Sequence, residues 1–279
     1  MVGTETDLHF GTAGWSYPDW EGTVYPLPRP SHFNPLAFLA RDFDFVEVNT
    51  TFYRIPSPRL TQGWVQKTSD HHHFQFWLKL FQGFTHKRHY STTDVDRFLD
   101  ICTPLADAGK LAGLLAQFPY SFKPVPDNLR YLEDLHASFR DRLLAVEFRH
   151  RGWNHPHVLS FFRERNLVWV NIDQPVISQS LPPTAHLTHA TTSYVRLHGR
   201  NYASWFAGTG RDARYDYDYG AEELTEIAGQ VKKLSRIAKT IFISGNNHYQ
   251  GQAIKNLKEL KQILAAEPSN ATSPAGTTG

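Results

Sequence analysis

Phe43-Asp-Phe-Val-Glu-Val-Asn49 runs straight on into Thr50-Thr-Phe-Tyr-Arg54: a largely apolar stretch with two carboxylates, Asp44 and Glu47, inside it and a polar, aromatic burst at its C-terminal end. The stretch lacks the polar alternation of a half-solvated strand, so it reads as a strand covered on both faces, the habit of parallel sheets. Seven comparable runs follow or precede it: Leu8–Gly14, Phe74–Leu80, Leu111–Phe118, Leu143–Phe148, Leu167–Asp173, Ser193–Gly199 and Thr240–Asn246. Helical spacing fills most gaps, over Asn34–Ala40, Pro58–Thr68 and Thr93–Ala108, then in the stripes Leu224, Ile227, Val231, Leu234 and Ile254 to Leu264. Asp127 is read as the cap of a helix carrying Leu129, Leu132 and Leu135, and Asn154 as the lead-in to one carrying Val158, Phe161 and Phe162. Strands alternating with helices predict an α/β fold, a (β/α)8 TIM-barrel-like parallel barrel of eight strands. The sixth crossover, Gln174 to Ala190, holds Pro175, Pro182 and Pro183 without helical period and is expected to be irregular. Residues 1–265 form one domain, and the Ser, Thr, Pro, Ala and Gly of 266–279 predict a disordered tail.

Composition narrows the class without naming a partner. The chain of 279 residues is 41% hydrophobic and 20% charged, which excludes a disordered or collagen-like protein. A formal charge of +2 gives no indication of nucleic-acid binding, and no apolar stretch approaches the roughly 20 residues a membrane span needs. The lone Cys102 cannot form an internal disulfide, and Met1 to Phe10 lacks a secretory pattern, so a cytoplasmic location is expected.

In a parallel barrel every strand ends on one face, and that face carries the active site. The ends here deliver Trp15 and Tyr17; Glu47, Asn49, Phe52 and Tyr53; Lys79; Gln117; Glu147 and Arg149; Asn171 and Asp173; Arg196 and His198; and Asn246, Asn247 and His248. Period two places Glu47 with Asn49, Glu147 with Arg149, Asn171 with Asp173, and Arg196 with His198 on shared faces, which meet over the axis if they point inward. The bland reading is an ion-pair network that seals the barrel top. Against it, so many charged strand ends are a costly way to close a core. Trp15, Tyr17, Phe52, Tyr53, Trp153, Tyr202 and Trp205 are either stacking platforms or packing residues. His71-His72-His73 falls at the opposite rim, where a solvated turn is expected, and Cys102 reads as a small core residue. His-Glu-x-x-His, Cys-x-x-Cys and Gly-x-Ser-x-Gly motifs are absent.

These strand-end motifs resemble the YecE-like family, domain of unknown function 72. The likeness is carried by Gly11-Thr-Ala-Gly-Trp-Ser-Tyr17 with Trp20 and Tyr25-Pro26, and by Phe45-Val-Glu-Val-Asn-Thr-Thr-Phe-Tyr-Arg54. It continues through Thr85-His86, Gln117-Phe-Pro119, Val146-Glu-Phe-Arg-His150 with Trp153, Asp173, Tyr194-Val-Arg-Leu-His-Gly199 and Asn246-Asn247. It spans nearly everything but the tail. The resemblance implies a TIM-barrel-like fold with a polar pocket at the strand C-termini, joined by His86, but supplies no reaction. One departure is Gly245 in Phe242-Ile-Ser-Gly-Asn-Asn247, where the family usually has an aromatic residue; it is expected to loosen the pocket wall.

The residue types suggest a hydrolase-like enzyme for an anionic, ring-containing small molecule such as a nucleotide or nucleic-acid fragment. Lys79, Arg149 and Arg196 would hold the anion, with Trp15, Tyr17, Asn49, Tyr53, His86, Gln117, Asn246 and Asn247 around it. Glu47 or Glu147 would be the general base or a ligand of a divalent metal, and Asp173 would orient His198 or share the metal. One alternative is a glycoside-type hydrolase with Glu47 and Glu147 as acid and base, which a bidentate lock of each Glu to an Arg would remove. Another is a noncatalytic ligand sensor with Arg200 to Gly220 as lid.

Overall fold

The computed structural model describes residues 6–203 and 213–266. Eight parallel strands close into a barrel in sequence order: β1 (Asp7–Ala13), β2 (Phe45–Val48), β3 (Gln75–Lys79), β4 (Leu111–Gln117), β5 (Leu144–Glu147), β6 (Val168–Asp173), β7 (Thr192–Leu197) and β8 (Thr240–Gly245). Closure comes from β8 pairing on β1, with Leu8 opposite Ile241 and Thr12 opposite Gly245. All eight predicted runs are strands, within two residues at each end. The expected Trp205 and the tail from 267 onward lie outside the described residues, as does the centre of the proposed lid.

Helices α1 (Pro35–Leu39), α2 (Thr50–Tyr53), α3 (Pro58–Lys67), α4 (Thr92–Asp107), α5 (Pro126–Ser138), α6 (Pro156–Glu164), α7 (Ala221–Ser235) and α8 (Gln252–Ala266) cover the barrel. Their apolar stripes face the strands, as with Leu224, Ile227, Val231 and Leu234 of α7. A capping box opens α4: Ser91 Oγ accepts from the Asp94 amide, and the Asp94 carboxylate accepts from the Ser91 amide. The expected cap Asp127 is displaced by two residues, while Asn154 does precede its helix. Pro126 starts α5 early, so Val125 is the cap and Asp127 sits in the first turn. His155 caps α6, while Asn154 Oδ1 lies 2.8 Å from His186 Nε2.

The sixth crossover, 174–191, is irregular as expected, and side chains of β6 hold it down. Asn171 accepts from the His186 amide and donates to the His186 carbonyl, and Thr188 Oγ1 accepts from the Trp169 amide and donates to the Leu167 carbonyl. These bonds satisfy backbone groups that an absent helix leaves open. At the N-terminal rim, Lys110 Nζ donates to the carbonyls of Thr68 and His71 at 3.0 and 2.6 Å, so the His71–His73 turn helps close the barrel bottom. Cys102 is fully buried in the core, as expected.

Inside, the barrel is layered, each layer drawn from every second residue of a strand. Phe45, Trp77, Tyr194 and Phe242 form an aromatic layer, with ring centroids 4.6–6.3 Å apart. Above it lie Glu47, Glu147, Arg196 and Ser244, all fully buried or nearly so. Gly11 makes room for this filling: a Cβ there would stand 2.3 Å from the Phe45 carbonyl oxygen and 2.7 Å from its ring. Because the first obstacle is backbone, Gly11→Ala is expected to destabilise the fold by about 1–3 kcal/mol, read as a lower urea midpoint at unchanged m-value.

Candidate functional site

Arg196 projects from β7 across the barrel and ties two strands to its guanidinium. Its Nε and Nη2 donate to the two oxygens of Glu47 at 2.8 and 2.5 Å, and Nη1 donates to Glu147 Oε2. Glu47 also accepts from the Tyr194 hydroxyl at 2.9 Å, and Glu147 Oε1 forms an ion pair with Arg149 Nη2 at 2.6 Å. The second Arg149 nitrogen donates to Gln174 Oε1 at 2.7 Å. Burial alone would raise the Glu147 carboxyl, but Arg149, Arg196 and His198 outweigh it and hold it well below the usual carboxylate range. Burial likewise opposes the Arg196 charge, and Glu147 and Glu47 reverse that, raising its pKa.

His198 lies beside this network, fully buried. Its Nδ1 faces two donors, Asn246 Nδ2 at 2.8 Å and Arg149 Nη2 at 3.5 Å, so Nδ1 accepts and Nε2 carries the proton toward Glu147 Oε1 at 3.4 Å. Burial and Arg149 push its pKa down to about 3, so the ring is neutral.

Over this floor opens a cavity of about 720 Å³. Of the expected contact residues, Trp15, Tyr17, Asn49, Tyr53, Lys79, His86, Gln117, Arg149, Arg196 and Asn246 line it. The expected catalytic set Glu47, Glu147, Asp173 and His198 does not: the first two and His198 lie beneath the floor. The Asn171/Asp173 face turns outward, because Ile172, not Asp173, pairs in register with inward Arg196. Asp173 instead accepts from Arg200 Nη2 at 2.7 Å and from the Tyr219 hydroxyl at 2.8 Å, anchoring the segment that follows β7. Asn247 also points away, donating to the Tyr217 carbonyl and to Asn256 Oδ1. Gly245 faces α8, where a Cβ would meet Ala253 and Leu257 at 3.0 Å, so it does not loosen the pocket wall. Trp153 is core, stacked 4.1 Å from Phe148.

The cavity also holds residues outside the expected contact set. Arg214 and Tyr215 come from the Tyr- and Arg-rich segment after β7, and Gln174 and Ser180 from the irregular crossover. Tyr17 stacks on His248 with centroids 4.2 Å apart, and Tyr215 tilts onto the same ring at 5.0 Å. Asn49 Oδ1 is sealed from solvent with no hydrogen-bond donor among the described residues. Lys79 Nζ sits 4.6 Å over the Phe52 ring, and burial, then Arg196, lowers its pKa to about 8. Burial and Lys79 depress His86 to about 4.

Four cations, Lys79, Arg149, Arg196 and Arg214, line the cavity, with no Asp or Glu among its described lining. That donor set does not fit a divalent cation. Glu47 and Glu147 are taken up by arginines, and among the described residues no group of three or more His, Cys, Asp or Glu is placed to hold a metal ion.

Fold and site together define a (β/α)8 barrel with an electropositive cavity at the strand C-termini. The chain belongs to the family described as "Protein of unknown function DUF72", whose pattern matches residues 9–278. It is 31% identical to UPF0759 protein YunF of Bacillus subtilis over 277 residues, covering 94% of this chain and 96% of that one. UPF0759 protein YecE of Escherichia coli K12 is 29% identical over 147 residues, 51% of this chain and 48% of YecE. The crystal structure of a DUF72 family protein from Thermotoga maritima superposes with a TM-score of 0.80 at 34% identity, over 93% of this chain and 99% of that one. One from Enterococcus faecalis gives 0.81 at 25% identity, over 97% and 100%. No described helix is long and apolar enough to cross a membrane.

Removing Arg196 leaves two carboxylates buried without their main partner. Arg196→Met is expected to cost about 3–5 kcal/mol in urea unfolding, and part of that loss should return on acidification as the carboxylates protonate. The native protein should respond in the opposite sense. Unfolding returns His198 from about 3 to its ordinary 6.5, so the unfolded chain binds more protons in that window. Stability is therefore full above pH 6.5 and lost as pH falls toward 3, by at most about 1.4 kcal/mol per unit from this group. Glu147 adds a second loss below its ordinary 4.5. Stability unchanged between pH 7 and 5 would contradict a neutral, buried His198.

Proposed function

We propose that the protein is an enzyme acting on an anionic small molecule of nucleotide size that carries a ring. The observation that supports this is the lining itself: four cations face the cavity, while Glu47 and Glu147 are engaged beneath it. The volume of about 720 Å³ falls within the roughly 300–1,000 Å³ of small-molecule sites. Arg149 and Arg196 supply a fixed guanidinium surface suited to phosphate or carboxylate oxygens, and Arg214 adds charge at the mouth. Phe52, Tyr53 and the Tyr17–His248 pair offer aromatic surface for a ring.

In this reading Glu47 and Glu147 are positioning groups that hold the arginines, and His198 keeps Arg149 and Asn246 in place. The paired-carboxylate route of a glycoside hydrolase loses its support, because Arg196 grips both oxygens of Glu47 and shares Glu147 with Arg149. Proton transfer near neutral pH then falls to Lys79, at about 8.

Calorimetric titration with a panel of nucleoside monophosphates, the matching nucleosides and inorganic phosphate tests the anion site. At least one monophosphate is expected to bind tenfold or more tighter than its nucleoside, with affinity falling as salt rises. Arg149→Met should weaken it by about tenfold or more, the worth of a charged hydrogen bond. Nucleosides binding as tightly as their phosphates would refute the reading.

A further inference from the structure

Lys79 differs from the other cations of the cavity in what holds it. It ends β3, and its backbone is fixed by the Thr51 hydroxyl, which donates to the Lys79 carbonyl at 2.7 Å. Its amine opens on the cavity against the face of Phe52. Among the described residues no carboxylate forms an ion pair with it, since Glu47 and Glu147, whose fields reach it, are occupied by Arg196 and Arg149. A lysine needed only as a point charge for phosphate would be redundant beside Arg149, Arg196 and Arg214. What an amine offers there, and a guanidinium does not, is a nucleophilic lone pair.

We propose that Lys79 forms an imine with an aldehyde or ketone carried by the anionic ligand, an assignment that rests on the anion-binding reading above. The Nζ lone pair attacks the carbonyl carbon, forming the C–N bond and opening the C=O π bond to a carbinolamine. The carbinolamine oxygen then leaves as water with the two hydrogens of the neutral amine, and C=N remains. No oxidant or further reactant is consumed. The surrounding guanidiniums serve this step twice: they hold the anionic end of the carbonyl compound, and their field adds to burial in disfavouring a positive charge on Nζ. Relative to a lysine at the ordinary 10.5, a pKa of about 8 raises the share of free amine at neutral pH on the order of a hundredfold.

Pyridoxal 5′-phosphate, a phosphorylated ring aldehyde, is a direct probe. Incubation followed by borohydride reduction and peptide mapping is expected to place one equivalent on Lys79, at least tenfold faster than on any other lysine. The labelling rate should rise with pH through a midpoint near 8. Pyridoxal without the phosphate should label Lys79 at least tenfold more slowly, inorganic phosphate should protect it, and Lys79→Arg should lose the label while retaining its circular dichroism. Pyridoxine 5′-phosphate, which lacks the aldehyde, reads the anion site alone by calorimetry. If it binds while label spreads over surface lysines with no preference for Lys79, the imine is overturned and the anion site stands. If it fails to bind and Lys79 is not preferred, both are overturned.

Discussion

The barrel interior is organised by one guanidinium. Arg196 is 1% exposed and takes up both oxygens of Glu47 and one of Glu147, so strands β2, β5 and β7 are tied at the same height. Ions this deep lose hydration worth several kcal/mol each, and only near-complete pairing offsets it. The pairing here is close to complete: Tyr194 covers a further lone pair of Glu47, and Arg149 takes the remaining oxygen of Glu147. An apolar layer would fill the same space with less electrostatic risk. What the ionic layer supplies in exchange is a set of cations whose positions are fixed before any ligand arrives.

That layer decides the chemistry above it. Two carboxylates against three inner cations, Lys79, Arg149 and Arg196, leave an excess positive charge, and geometry sends it upward. Arg149 has one face on Glu147, another on Gln174, and still reaches the cavity. Lys79 receives no carboxylate in this division, and burial, followed by the neighbouring cations, depresses both it and His86. The cavity is thus electropositive because its acids are used one layer lower.

The fold was legible because hydrophobic runs and turn residues report strand existence directly, as Phe43–Asn49 and Leu111–Phe118 illustrate. The rim was legible because parallel strands must all end on one side. Parity was harder. A strand end names two adjacent residues, and which of them points inward depends on register with neighbours distant in sequence. So Glu47, Glu147 and Arg196 were rightly grouped, while Asp173 faces Arg200 and Tyr219 and Gly245 faces α8. Depth was the other unreadable quantity. Period two places Glu47 and Asn49 on one face but cannot tell that Glu47 lies beneath the floor and Asn49 within the cavity. Arg214, Tyr215 and Ser180 come from segments without periodicity, where only composition gave a signal.

The walls share the rigidity of the floor, and for a related reason. Trp20 Nε1 donates to the His248 carbonyl at 2.6 Å, and the Tyr25 hydroxyl donates to the Trp15 carbonyl, so the loops after β1 and β8 brace each other. Tyr17 and His248 stack nearly parallel from those two loops, each ring covering a face of the other. On the far side, Leu181 donates its amide to the Arg149 carbonyl, so the helix-free crossover supports the strand end that carries the guanidinium. A cavity built this way spends little entropy in organising its charges around a ligand. Tyr215, which meets the His248 ring at 5.0 Å, lies on the segment that Asp173 anchors through Arg200. The outward turn of Asp173 thus joins the site after all, through the chain it holds and not through a proton it carries.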